Sequence, residues 1–133
     1  MSASPNRVVA IVVGAAYLLI GVAGFAVTMG VGFFAVPGGL LFGVFELNAF
    51  HNIVHLLLGA GLLLAGLSNA GAAKTVNSLV GAACLVLGLV GLFIVGSPFN
   101  VLAINGADNV LHFGTSVVLL AVGLGAERLV KAP

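Results

Sequence analysis

The side chains with chemistry to offer fall in two short sets. The first is Asn48, His51, Asn52 and His55; the second is Asn105, Asp108, Asn109 and His112. Each set occupies positions i, i+3, i+4 and i+7, the spacing that lines four side chains along one face of a helix. Imidazole nitrogens and carboxylate oxygens are metal ligands, and His51 and His55 at i, i+4 form a metal-competent pair. Asp108 and His112 would complete a four-ligand set with them. His55 and His112 could instead hold a haem between two helices, or the ionisable groups could relay protons.

The same residues suit a plainer task, and the balance of the sequence favours it. Amides and imidazoles hydrogen-bond across packed helices, each contact contributing about 0.6 kcal/mol and up to about 2 kcal/mol. Below His55 the face continues as Gly59 and Gly66, and below His112 as Ser116 and Gly123. That is polar glue above close glycine contacts. Asp108 can pair with His112 and can also cap the helix it opens. The expectation is therefore a buried packing face with no cofactor, and a metal ion or haem as the alternative.

Nothing points to catalysis. There is no GxSxG, no HExxH and no glycine loop followed by lysine to cradle a phosphate. An acid–base couple of Glu46 with Asp108 has no supporting pattern. The chain reads as a non-enzyme.

The elements that carry these residues follow from composition. Of 133 residues, 62% are hydrophobic and only 5% charged, with a mean hydropathy of +1.34. Soluble domains carry about 25% charged residues, so seven charges cannot cover a water-facing surface. The chain is expected to be a single integral membrane domain in contact with the lipid bilayer. With a net charge of +1 and no basic patch, it has no means of binding nucleic acid. Its lone cysteine, Cys84, falls mid-span, where a thiol behaves as a small apolar group.

Hydropathy and punctuation predict an all-α fold, a four-helix transmembrane bundle. The spans cover about 8–29, 48–67, 76–95 and 108–125, each near the roughly 20 residues that cross a bilayer. The first is too long for a signal-peptide core. Small residues line a seam in span one (Ala10, Gly14, Gly21, Gly24, with Tyr17 between) and in span three (Asn77, Gly81, Cys84, Gly88, Gly91). Such seams let backbones approach closely. Residues 68–74 read as a connecting loop, and Ser97-Pro98 stops span three. Residues 30–47 are apolar but broken by Pro37-Gly38-Gly39. They predict either an interfacial or partly re-entrant hairpin or, equally, an apolar loop lying at the headgroups, with Phe33, Phe34, Phe42 and Phe45 as a candidate partner surface.

The chain also repeats itself. Gly14, Leu18, Gly21 and Gly24 recur as Gly81, Leu85, Gly88 and Gly91 at an offset of 67. Asn48, Asn52, His55 and Gly66 recur as Asn105, Asn109, His112 and Gly123 at an offset of 57. Two spans per repeat imply tandem hairpins of like orientation, related by a pseudo-twofold axis along the membrane normal. Arg7, Lys74, Arg128 and Lys131 then share one side, which predicts a cytoplasmic membrane location with both termini in the cytoplasm.

The stretch Leu47-Asn48-Ala49-Phe50-His51-Asn52-Ile53-Val54-His55-Leu56-Leu57-Leu58-Gly59, followed later by Asn105-Gly106-Ala107-Asp108-Asn109-Val110-Leu111-His112, carries a resemblance over nearly the whole chain. It resembles a small four-span membrane-protein family, mostly of actinobacteria, known as a domain of unknown function. Asn52, His55, Gly59, Asp108, Asn109 and His112 match its pattern. The resemblance implies a fold and an envelope setting, not a reaction. The leading functional expectation is an accessory subunit that steadies a larger envelope complex, such as a lipid transporter or a respiratory assembly. The alternative is a small carrier that uses the His/Asp cluster for a metal ion, a proton or a haem.

Overall fold

The computed structural model describes residues 4–126. It contains four long helices and one small hairpin: α1 (Pro5–Thr28), β1 (Gly39–Leu41), β2 (Phe45–Leu47), α2 (Ala49–Ser68), α3 (Ala70–Ile94) and α4 (Gly106–Ala121). A π-helical turn, Val122–Ala126, extends α4. Each helix starts at a polar cap. Ser4 precedes Pro5 at the first position of α1, and asparagines at 48, 69 and 105 accept the backbone N–H three residues on. Such caps satisfy donors that the helix itself cannot.

All four helices are long and apolar enough to cross a membrane. A helix of 24 residues such as α1 reaches about 36 Å, against a hydrocarbon core of about 30 Å. The distribution of polarity inverts that of a soluble protein. Leu19, Leu57, Leu64, Phe93 and Val110 are exposed, whereas Asn52, Asn77, His51, His55, Asp108 and His112 are buried. Only a lipid solvent makes that arrangement favourable, and the fold is a multi-pass membrane bundle.

Two differences from the expected boundaries have local causes. Helix α3 begins at Ala70, so the connection between α2 and α3 narrows to Asn69, in extended conformation. Asn69 caps an alanine-rich stretch, Ala70-Gly71-Ala72-Ala73, in which three good helix formers outweigh one glycine and which composition alone assigns to a loop. Within 30–47 the chain reverses at Phe42-Gly43, both with positive φ, rather than at Pro37-Gly38-Gly39. The turn closes with a bond from the Val44 N–H to the Leu41 carbonyl, 3.1 Å. Gly38 and Gly39 instead lie where a Cβ would strike the Leu47 and Val27 carbonyls, so they let the strand lie flat on the end of the bundle.

The helices pair as α1 with α2 and α3 with α4, and their seams use corresponding residues. A Cβ on Gly24 would run into the Asn52 amide oxygen, and a Cβ on Gly91 into that of Asn109. Gly14 meets Leu62 and Leu63, and Gly81 meets Leu119 and Leu120. Each partner in the second hairpin lies 57 residues after its counterpart in the first. The asparagine oxygen aimed at a glycine Cα, found twice, fits a Cα–H···O contact.

At one end of the bundle Asn77 donates to the Asn6 backbone carbonyl and side-chain oxygen (3.0 and 2.9 Å), which joins the starts of α1 and α3. At the same end the Arg7 guanidinium donates to the Gly66 and Leu67 carbonyls (2.8 and 3.2 Å) and caps α2. At the other end the starts of α2 and α4 meet, beneath the hairpin and the loop 95–105. Arg128 and Lys131 lie outside the described residues.

Candidate metal centre

Helices α2 and α4 bring three histidines to one point. His51 and His55 lie one turn apart on α2, and His112 comes from the facing side of α4. Ring centroids are 4.3 Å apart for His51–His55, 5.9 Å for His51–His112 and 6.4 Å for His55–His112. Each ring offers a nitrogen lying within 4.8 Å of those of the other two. All three side chains are about 1% exposed.

Their hydrogen bonding is incomplete. Both nitrogens of His51, both of His55 and Nδ1 of His112 have no hydrogen-bond partner. The backbone carbonyls of Glu46 and Leu102 approach His51 without reaching hydrogen-bond geometry. An unpaired buried polar group costs about 1–3 kcal/mol, and a native structure rarely leaves several together without a reason. Three buried imidazoles that each offer a nitrogen within 4.8 Å of the other two are a donor group of the kind that metal ions take.

The site is roofed. The Asn48 amide donates to the Val101 carbonyl at 2.8 Å, and the Asn105 amide donates to the Val44 carbonyl, also at 2.8 Å. Each helix cap thereby grips the loop of the other hairpin. Asn100 closes the 95–105 loop through two bonds to Ile104, and the Glu46 carboxylate accepts the Gly38 N–H at 2.7 Å. Leu47, Ala103 and Ile104 beneath this roof are at most 1% exposed.

Below the histidines lies a second polar contact. The Tyr17 ring meets His55 edge-on with centroids 5.1 Å apart. Its hydroxyl donates to the Thr115 hydroxyl at 2.9 Å and lies 3.8 Å from the Cys84 sulfur. Pattern reasoning left Thr115 out and took Cys84 as an apolar filler. The available signal was the offset of 67 that relates Tyr17 to Cys84. An open groove of about 710 Å³ between α1 and α4, lined by Val13, Val110, Leu111, Gly114, Thr115 and Val118, is almost wholly apolar. Its one hydroxyl is the one that Tyr17 engages.

The chain belongs to the family described as domain of unknown function DUF4383. That family's model matches residues 7–125, which take in nearly all of the four helices and both polar stripes. No curated protein and no solved structure matches the chain. The family description names no activity, so function rests on the geometry of the site.

The other sequence-derived site residues are placed as follows. Asn48 and Asn105 are caps; Asn48 is buried and Asn105 half-buried, because its amide reaches out to the hairpin loop. Asn52 donates to the Thr28 hydroxyl at 2.9 Å, and Asn109 packs on Gly91. Asp108 does not join the histidines and does not pair with His112. Its Oδ2 accepts the Asn105 N–H at 2.9 Å while its own N–H donates to Asn105 Oδ1 at 3.0 Å. This reciprocal capping box turns the carboxylate toward the helix start, so the four-ligand set shrinks to three. Gly14, Gly21, Gly24, Gly81, Gly88 and Gly91 are all buried in the seams. Phe33 and Phe34 stack edge-on with centroids 4.7 Å apart, and Phe34 also meets Phe50. Phe42 stands exposed at the hairpin turn, and Phe45 is half-buried.

Proposed function

We propose that the protein is a membrane-embedded metal-binding protein whose centre is His51, His55 and His112. The observation that carries this reading is the convergence of three buried rings, with both nitrogens of His51 and His55 and Nδ1 of His112 lacking hydrogen-bond partners. Three nitrogens about 2.0 Å from one ion lie about 3.5 Å apart. Small side-chain rotations bring nitrogens that now lie within 4.8 Å to that spacing. An ion is favoured over a haem because His51 fills the space beside the His55–His112 pair, at centroid distances of 4.3 and 5.9 Å. That leaves no flat slot for a macrocycle between them.

The short loops suit a carrier or store rather than an enzyme. With Arg7 and Lys74 at the opposite end, the positive-inside tendency puts the histidines at the extracytoplasmic side of a cytoplasmic membrane. The test is metal analysis of protein purified in mild detergent after exposure to first-row transition metals. One ion per chain is expected, lost when His55 and His112 are both replaced by alanine. A folded protein that takes up no metal refutes the reading.

A second reading, an accessory subunit of a larger membrane complex, is supported by the aromatic surface of Phe33, Phe34 and Phe42, which are 48%, 55% and 78% exposed. Native purification followed by mass spectrometry of stoichiometric companions tests it. The two readings are compatible, since the aromatic surface lies outside the roof over the histidines.

A further inference from the structure

We propose that the ion this site prefers is monovalent copper, Cu(I), bound by three imidazoles alone. The inference rests on the metal-binding reading above and adds the identity of the ion.

Charge is the first argument. Among the described residues no Asp, Glu or Cys joins the three histidines in a ligand group. Of the carboxylates at this end, Asp108 spends Oδ2 in its capping box and keeps Oδ1 buried without a partner, and Glu46 accepts the Gly38 N–H. The three donors themselves are neutral, so no ligand charge offsets that of the bound ion. The solvation cost of burying a charge grows with its square, so a divalent ion costs about four times as much as a monovalent one. Zinc, nickel and ferrous iron carry that larger penalty; Cu(I) does not.

Coordination is the second. Zinc in a three-histidine site completes its tetrahedron with water or substrate. Here the three side chains are about 1% exposed, at the end of the bundle where the Asn48–Val101 and Asn105–Val44 hydrogen bonds tie the loops down. The Tyr17 hydroxyl is engaged with Thr115 and Cys84, so it is not a fourth donor. Cu(I), a closed-shell d10 ion, is satisfied by two or three ligands and by imidazole nitrogen. A buried site of three neutral donors is matched to it.

The position equivalent to His51 in the second hairpin is Asp108, which suggests the decisive variant. His51→Asp supplies the missing negative charge and removes one neutral nitrogen. The experiment is a pair of competition titrations in detergent, Cu(I) under anaerobic conditions and Zn(II), each against a chromophoric chelator of known affinity. For the unaltered protein, Cu(I) should bind at one ion per chain and Zn(II) more weakly. His51→Asp should shift the ratio of affinities toward Zn(II) by about tenfold or more. Zn(II) binding ahead of Cu(I) in the unaltered protein overturns this inference and leaves the metal-binding reading standing. Binding of neither ion overturns this inference, and a folded protein that takes up no first-row transition metal overturns the metal-binding reading as well. Should His51→Asp fail to fold, the comparison of the two ions in the unaltered protein decides alone. Tyr17→Phe, which keeps all three imidazoles, should retain the Cu(I) affinity within about threefold.

Discussion

The starts of α2 and α4 are built on one plan, and their polar stripes part company at a single position. In both, an asparagine caps the helix and its amide nitrogen reaches a loop of the other hairpin, to Val101 from Asn48 and to Val44 from Asn105. In both, a histidine follows seven residues after the cap. Three residues after the cap, α4 has Asp108 and α2 has His51. The aspartate folds back on its own helix and completes a capping box. The histidine performs no such local service, and its ring points into the bundle beside His55 and His112. Two equivalent positions thus show the difference between a residue held by its own helix and one held for a tertiary purpose.

The largest expected effect breaks the pair of positions apart functionally. His51→Ala should lower metal affinity by about a hundredfold or more, since loss of a mere supporting group already costs about 10–100-fold. Asp108→Ala should leave affinity unchanged. Equal loss in both variants, read by chelator competition, would dissolve the distinction.

Next come the seams. Gly24→Ala and Gly91→Ala each drive a methyl group into an asparagine amide oxygen, and each should destabilise by about 1–3 kcal/mol. Gly61→Ala and Gly114→Ala meet open space inside their helices and should be neutral or stabilising by up to about 1 kcal/mol. Denaturant titration in detergent measures all four. A marked inequality between Gly24→Ala and Gly91→Ala would mean that the two hairpins pack by different rules. Smaller again is the capping term: Asp108→Ala should cost about 1 kcal/mol. Smallest is Tyr17→Phe, which removes a buried interhelical hydrogen bond contributing about 0.6 kcal/mol.

Much of the bundle was legible because lipid imposes strict rules on sequence. Apolar runs of helical length with capping asparagines specify four crossings, and the i, i+4 spacing of His51 and His55 puts both on one face of α2. The place of Asp108 was less legible. Aspartate four residues before histidine fits an ion pair as well as it fits a capping box, and only the helix start decides between them. The contact of Tyr17 with Thr115 and Cys84 joins three helices, and no local spacing encodes it. The hairpin turn was misplaced because Pro37-Gly38-Gly39 satisfies turn chemistry, while the glycines there serve close packing against Val27 and Leu47. Periodicity reports faces; it does not report which faces meet or which polar group a neighbouring backbone has already claimed.

The most direct test of a shared three-imidazole centre is X-ray absorption fine structure on the metal-loaded protein in detergent. The account predicts a first shell of nitrogen at about 2.0 Å with the outer-shell scattering of three imidazoles, falling to two in His51→Ala. A first shell without the outer-shell scattering of imidazole, or an imidazole count that His51→Ala leaves unchanged, would contradict it.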